Sequence, residues 1–221
     1  MSLPHGADLE KLVVNSWNAG ADYTPGGNDR WTYGLYGTGR FPNRFDIPYP
    51  PDRENYPGVN IDSIGPAGHG FPYVLGNRGA TPYPMQDAVV EPNQLIIVPR
   101  VVQGWTACAV SWTAPEVFPP GRQARYRVQA GFHSLYRDNA RFSICEASVF
   151  ARRVNGSQPR LLAPSEVYQN VAPVPLDTTL DLDPGDTVWF LVEYKTYLPG
   201  QAGQAGANTD TLLFATVTSV P

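Results

Sequence analysis

The second half of the chain has the hydrophobic pattern of β-strands. From residue 94 onward, short runs rich in Val, Ile, Thr, Tyr, Phe and Trp are separated by turn residues. In one run, Tyr126, Val128 and Ala130 alternate with polar residues, which predicts one buried and one wet face. This spacing is typical of an antiparallel sandwich or barrel. The runs are QLIIVPRVV, TACAVSWTA, ARYRVQAGFHS, ARFSICEASVFARRV, TTLDL, TVWFLVEYKTY and TLLFATVTSV.

Two turn signals mark the boundaries of strands. In DLDPGDTVWFLVEY, the pair Pro184-Gly185 predicts a tight turn. The side chain of Asp183 or Asp186 can form a hydrogen bond with the backbone of this turn. The strand that follows is apolar on both faces, so we expect an inner strand that is covered on both sides. Further back, Asn155-Gly156 predicts a β-hairpin.

The first part of the chain has a different character. Eleven of the 23 prolines and seven of the 12 tyrosines fall between residues 23 and 92, which predicts an ordered, extended coil in place of interior strands. We therefore expect residues 1–93 to form a wrapping segment with one or two strands. This segment belongs to the same domain as the β-sandwich scaffold predicted over residues 94–221.

Composition and charge narrow the function classes. The chain has 221 residues, 16% charged residues and a formal net charge of −4, which argues against a nucleic-acid-binding surface. We expect neither a signal peptide nor a membrane span in this chain, because residues 1–14 lack a basic region followed by a continuous apolar one and no apolar run is long enough to cross a membrane. We expect the protein to be located in a virion or outside the cell.

Metal sites and disulfides receive little support. Cys108 and Cys145 are too few for a zinc site or a disulfide framework, and are either two buried thiols or one bridge. Asp181, Asp183 and Asp186 could donate oxygens to calcium, although their spacing does not match an EF-hand loop. We expect no cofactor, with calcium as the open alternative.

No catalytic motif is present, and aromatic residues are the better indication of function. The histidines are far apart, and only His69, flanked by glycines, resembles a site residue. Trp and Tyr are enriched at recognition surfaces, whether the partner is a sugar or a protein. The candidate contact residues are Trp17, Trp31, Tyr33, Tyr36, Tyr49, Tyr56, His69 and Trp105.

Four stretches also carry a family resemblance. They are NDRWTYG at 28–34, FPYVLGN at 71–77, VSWTAP at 110–115 and LDPGDTVWFLV at 182–192. Together they resemble jelly-roll β-sandwich domains of secreted and surface proteins of planctomycete-type bacteria, which are akin to carbohydrate-binding modules. The resemblance implies a jelly-roll-like sandwich with Trp31, Trp112 and Trp189 in or beside the core. It implies no particular activity.

The sequence favours binding over catalysis. The first hypothesis is a structural or assembly subunit of a larger particle, such as a bacteriophage capsid-decoration or tail protein. Its partners would be other protein subunits, in a homo-oligomer or a particle. The alternative is a carbohydrate-binding module of a surface or secreted protein, whose partner is a glycan. A glycan hydrolase is the third class, since sequence alone does not exclude a convergent pair among 20 acidic residues.

Overall fold

The described part of the protein is entirely β-structure. The computed structural model describes residues 15–24, 27–37, 47–48, 61–64, 73–77, 79–85, 88–99, 105–116, 121–135, 144–167, 172–195 and 210–221. Within these ranges the chain forms strands and turns. No helix with the length and hydrophobicity of a membrane span is found there.

The strands, in chain order, vary from two to 11 residues. They are β1 Ser16–Asn18, β2 Trp31–Gly37, β3 Ile47–Pro48, β4 Ile61–Ile64, β5 Tyr73–Asn77, β6 Tyr83–Met85, β7 Ala88–Val90, β8 Leu95–Val98, β9 Trp105–Thr113, β10 Ala124–Ser134, β11 Ile144–Arg152, β12 Arg160–Val167, β13 Val174–Leu182, β14 Thr187–Lys195 and β15 Thr211–Val220.

Two antiparallel sheets form a sandwich. The first sheet has the order β13-β10-β15-β8-β5-β4, with β1 beside β15. The second sheet has the order β12-β11-β14-β9-β2-β3, and β6 and β7 form a separate hairpin. The prediction of an antiparallel, jelly-roll-like β-sandwich is confirmed by this architecture.

The main core lies between the two sheets. On β10, Tyr126, Val128 and Ala130 are 1%, 0% and 7% exposed, as their alternation predicts. From the second sheet, Val188 and Phe190 of β14 are fully buried in the same cluster. Burial of each such side chain stabilises the fold by about 1.5–3 kcal/mol.

Strand β14 is covered on both faces, as predicted. It lies inside the second sheet between β11 and β9. Trp189 and Leu191, which point away from the main core, are only 3% and 6% exposed and belong to a separate buried cluster. The ring of Trp189 stacks on Phe150 of β11 with centroids 5.8 Å apart. Trp31, Trp112 and Trp189 are all buried, in agreement with the family resemblance.

The turn before β14 is held by one buried carboxylate. Asp186 N donates to Asp183 O at 3.0 Å, and Gly185 has φ +85°, a conformation that glycine adopts readily. The Asp186 side chain, which is fully buried, accepts from Asp183 N, Val154 N and Arg153 Nη1 at 2.9, 2.7 and 2.9 Å. The turn prediction is confirmed, and Asp186 is the aspartate that supports it.

The predicted hairpin at Asn155-Gly156 joins β11 to β12. Arg153 N donates to Ser157 O at 2.8 Å across this connection. The sequence did not indicate β12, because Pro159 and Pro164 weaken the strand signal. Strand β12 is at the edge of its sheet, where proline is tolerated, and its pairing with β11 is irregular.

The first 93 residues contribute more strands than expected. One or two were predicted, whereas the described residues in this region include β1 to β7. Two of these strands, β2 and β5, are integral to the two sheets. Their short, Tyr- and Gly-rich sequences do not indicate strands, although the glycine of β5 is required for packing. A Cβ at Gly76 would lie 2.2 Å from the ring of Tyr23. The boundary at residue 93 stays a prediction.

The two cysteines are buried thiols that form no disulfide. Cys108 pairs with Val192 and Cys145 pairs with Tyr194, so that strand β14 lies between them. The two cysteines are therefore two strand spacings apart, about 9.5 Å, which is too far for a disulfide. Burial raises the pKa of the Cys145 thiol to about 12.

We expect this burial to make the fold sensitive to alkali. An unfolded thiol has a pKa near 9.0, so the stability gained by keeping Cys145 protonated is fully present below pH 9 and is lost as the pH rises toward about 12. The loss is at most about 1.4 kcal/mol per pH unit. Burial also raises the pKa of Tyr33 and Tyr126, which adds to the loss above their ordinary value of 10.0.

Urea unfolding at pH 8 and pH 10.5 measures this effect. Cys145→Ala should reduce the loss of unfolding free energy between the two pH values by about 2 kcal/mol relative to the wild type. Val149→Ala truncates another buried side chain of the same strand without removing a titrating group, and should keep the wild-type pH dependence. An equal pH dependence in all three proteins would contradict the assignment.

Candidate functional site

An open cleft of about 420 Å³ lies beside the connection from β1 to β2. This connection runs from the first sheet to the second. The lining residues are Trp17, Asp22, Asn28, Asp29, Arg30 and Trp31. The lining residues that the structure describes all come from one short stretch of sequence, residues 17–31.

Trp17 is held in place by an aromatic base. Its ring centroid lies 5.2 Å from that of Trp112 and 6.2 Å from that of Tyr126. Trp112 and Tyr126 are buried and pack edge to face at 5.1 Å. Each aromatic pair contributes about 0.5–1.5 kcal/mol beyond the burial of area. Trp17 itself is only partly buried, so this aromatic base fixes an indole that keeps some exposed surface.

Asp22 organises the turn that follows Trp17. Its Oδ2 accepts hydrogen bonds from Asn18 N at 2.9 Å and from the indole Nε1 of Trp31 at 3.3 Å. Asn18 Oδ1 in turn accepts from Gly20 N and Ala21 N at 3.0 and 2.9 Å. The carboxylate thus connects the end of β1 to the start of β2 and fixes the two ends of the cleft lining.

The same turn is pressed against the first sheet. A Cβ at Gly20 would lie 1.7 Å from the carbonyl oxygen of Asn93, so a side chain is not accommodated there. Asn93 N donates to Asn77 O at 2.9 Å, which ties this contact to the end of β5. Glycine at this position permits the close approach that positions the cleft.

Asn28 shapes the other side of the cleft. Its Oδ1 accepts from Arg30 N and Trp31 N, both at 2.8 Å, and its Nδ2 donates to Asp22 O at 2.9 Å. An asparagine side chain that bonds the backbone two and three residues ahead is a typical turn device. It fixes the backbone of Asp29 and Arg30 at the rim.

Asp29 and Arg30 supply the charge of the rim. Asp29 is exposed and Arg30 is partly exposed. Burial raises the pKa of Tyr126, and the nearby positive charge of Arg30 partly opposes this rise. With Asp22, the lining carries two carboxylates and one guanidinium, a formal charge of −1. The rim can both accept and donate hydrogen bonds.

The arrangement suits a ligand with an apolar face and a polar edge. An indole surface gains dispersion and weak C–H contacts from a flat apolar group. A carboxylate and a guanidinium at the rim can bond to hydroxyl groups around such a group. Asp22 is already used by backbone and indole donors, so Asp29 is the lining acid that is more available to a ligand.

Several predicted contact residues can be placed in the structure. Trp17 and Trp31 both belong to the cleft, where Trp31 is fully buried beneath the rim with its ring 6.2 Å from Phe190. Tyr33 is 3% exposed and packs edge to face on Tyr23 in the core. The structure therefore places the accessible aromatic surface of this group at Trp17.

The structure does not describe the side chains of the other predicted contacts. Tyr36 is in β2 and Trp105 begins β9, and their side chains are outside the description. Tyr49, Tyr56 and His69 are also outside the described residues. Their roles stay predictions.

Sequence reasoning missed the polar half of the cleft. Asp22, Asn28, Asp29 and Arg30 were not candidates, although NDR stands directly before the tryptophan of the WTYG segment. The usable signal was Asn28, which stands two residues before Arg30 and three before Trp31, the first residue of β2. An asparagine in this place is typical of a side chain that supports a turn.

The calcium alternative finds no support at the turn before β14. The carboxylate of Asp186 is surrounded by two backbone N–H groups and the Arg153 guanidinium, whose positive charge disfavours a cation. Asp181 is exposed on β13. Across the described ranges, no group of three or more His, Cys, Asp and Glu side chains is placed to hold a metal ion.

Comparisons with known proteins give remote likenesses of structure only. No family model matches the chain, and no curated protein matches it. The resemblance to a planctomycete-type family therefore has no support from these comparisons.

Three solved structures illustrate the likeness. The C-terminal family 22 carbohydrate-binding module of Clostridium thermocellum Xyn10B is 11% identical, with 92% of each chain covered and a TM-score of 0.34. The CBM22-1 xylan-binding domain of Paenibacillus barcinonensis Xyn10C is 10% identical, with 89% of this chain and 98% of that chain covered and a TM-score of 0.32. The third is the enzymatically active domain of tailspike protein 4 of bacteriophage CBA120, at 12% identity and a TM-score of 0.30; 91% of this chain is covered, but only 22% of that chain. At these values none of them establishes what this chain binds.

Proposed function

We propose that the protein is a non-catalytic carbohydrate-binding β-sandwich module that holds a glycan in the cleft beside Trp17. The observation that carries this proposal is a partly exposed indole on a buried aromatic base, next to a rim of hydrogen-bonding side chains. The glycan alternative from the sequence is therefore preferred to the particle subunit.

The chemistry of a sugar matches both halves of the cleft. A pyranose ring has C–H groups on its faces, which pack against the indole, and hydroxyl groups around its edge. Asp29 can accept hydrogen bonds from these hydroxyl groups and Arg30 can donate to them. Hydrogen bonds to charged groups contribute about 1.5–3 kcal/mol.

Rigidity supports the same function. The backbone of residues 18–24 and 27–31 is braced by the side chains of Asn18, Asp22 and Asn28. A site that is fixed before the ligand arrives loses less conformational freedom on binding. Weak individual contacts with a sugar can therefore give measurable affinity.

Affinity electrophoresis on a panel of polysaccharides tests the proposal. The full chain is run in native gels that contain xylan, mannan, mixed-linkage β-glucan or polygalacturonate. Retardation by at least one neutral polysaccharide is the expected result. Asp29→Ala and Arg30→Ala should each weaken that retention about tenfold, because each removes a charge-assisted hydrogen bond.

Val154→Ala is the matched control. Val154 is 70% exposed and lies in the connection from β11 to β12 instead of the cleft lining, so its truncation should leave retention unchanged. A wild-type chain that no polysaccharide retards would refute the function. Unchanged retardation in both rim variants would refute this cleft as the site.

The particle-subunit hypothesis stays a prediction. It depends on an extended arm formed by the first part of the chain, and much of residues 1–60 is outside the described residues.

A further inference from the structure

Among the residues that the structure describes, a buried cluster covers only part of the outer face of the first sheet. On β5 and β8, Leu75, Ile96 and Val98 are buried with Val90 in a second cluster, against which Leu212 of β15 packs. The next outward residue of β15 after Leu212 is Phe214, and it is 51% exposed. The buried cluster that covers this outer face therefore ends within β15.

The uncovered part consists of outward residues of β10, β13 and the C-terminal half of β15. Because Val128 and Ala130 face the core, Gln129 and Gly131 face outward. The same alternation turns Phe214 and Thr216 outward on β15, and Pro175 and Asp177 outward on β13. We call these three strand surfaces the open face.

A shallow trough runs across the open face at Gly131. Gly131 pairs with Phe214 on one side and with Pro175 on the other. An added Cβ at Gly131 would meet only Pro173 Cβ, at 4.0 Å, so the space above this backbone is open. The two flanking strands are about 9.5 Å apart. The floor of the trough, between the ring of Phe214 and Pro175, is therefore formed by main chain without a side chain.

Fixed polar groups lie beside this trough. Arg127 forms a two-pronged ion pair with Asp177, with N–O distances of 2.8 and 2.5 Å, and Gln129 Nε2 donates to the same carboxylate at 3.1 Å. The hydrogen bond from Arg127 lowers the pKa of Asp177, so the pair stays charged at neutral pH. Further along, Arg125 stands opposite Asp181, and the two charges balance.

We propose that the open face is a second carbohydrate-contact surface, which binds an extended, uncharged polysaccharide chain with one sugar ring stacked on Phe214 above Gly131. Two arginines and two aspartates give the face no net charge, and this favours a neutral ligand. Among side chains whose burial is described, Phe214 is the exposed aromatic one. The inference rests on the proposed function for its class of ligand, but uses different residues for the site.

Two substitutions test the open face. Phe214→Ser removes the stacking ring, and Gly131→Leu fills the trough, where the open space above the glycine accommodates the side chain. In gels that contain the neutral polysaccharide with the strongest retention, each variant should bind about fivefold more weakly than the wild type. Val154→Ser, which removes an exposed apolar side chain elsewhere, should not change retention.

Combination with a cleft variant separates the two sites. Phe214→Ser together with Arg30→Ala should lose more retention than either change alone. If Arg30→Ala has no effect but Phe214→Ser and Gly131→Leu weaken binding, the cleft proposal fails and the open face stands. If both open-face variants bind like the wild type, or if the wild type binds none of the neutral polysaccharides, the inference is overturned.

Discussion

Replacement of Asp186 by alanine should lower the free energy of unfolding by about 3–5 kcal/mol. The carboxylate is fully buried and bonded to Arg153 and to the backbone N–H groups of Val154 and Asp183. Its removal leaves two backbone donors without their acceptor and takes the carboxylate away from Arg153, whose Nη1 still donates to the carbonyl oxygen of Asp181. Each unsatisfied backbone donor contributes about 1–3 kcal/mol, and both contributions are included in this loss.

Urea denaturation followed by tryptophan fluorescence measures this change. Asp183→Ala is the matched control, since it alters the same turn but keeps the backbone atoms that Asp186 uses; it should cost less than about 1 kcal/mol. Asp186→Asn should fall between the two, because an amide oxygen still accepts hydrogen bonds but lacks the charge. Equal stabilities of the Asp183 and Asp186 alanine variants would show that the carboxylate does not hold the turn.

Trp17→Ala should have the largest effect on binding. Loss of the partly exposed indole removes the surface on which a sugar ring would stack, and a central aromatic contact of this kind is worth about 2 kcal/mol. Retention in the affinity gel should therefore weaken roughly thirtyfold. Trp17→Phe keeps an aromatic ring on the same base and should retain part of the affinity.

Stability must be followed in the same variants, because Trp17 also packs on Trp112 and Tyr126. Near-ultraviolet circular dichroism and the thermal midpoint show whether the fold is kept. A folded Trp17→Ala variant with wild-type retention would remove Trp17 from the site. Loss of retention in that folded variant, with partial recovery in Trp17→Phe, is the expected result.

The sequence predicted those parts of the fold that depend on neighbours along the chain. The alternation of Tyr126, Val128 and Ala130 and the Pro184-Gly185 turn are local patterns, and the structure confirms both. Strand β12 was missed because its prolines are tolerated only by its place at a sheet edge, which is a property of the assembled sheet.

The cleft likewise combines a feature that is visible in the local sequence with features that depend on the assembled fold. Trp17 was a candidate because aromatic residues in loops are conspicuous in a sequence. Its partners across the core, Trp112 and Tyr126, lie about a hundred residues away, and no spacing rule brings them together. The sequence did not indicate the organising role of Asp22, because the Trp31 indole reaches its carboxylate only in the folded chain.

The pairing of β1 with β15 has a consequence for folding. Trp17 is aligned with Val217, and Ser219 and Asn15 exchange backbone and side-chain hydrogen bonds, so the start of the cleft is joined to the last strand of the fold. Contacts between residues some 200 positions apart are slow to form, because a long loop has to close first. During refolding, the cleft should therefore be completed late, after the strands that are close in sequence have paired. A single proteolytic cut that releases β15 should likewise disable the cleft, although β15 contributes no side chain to its lining.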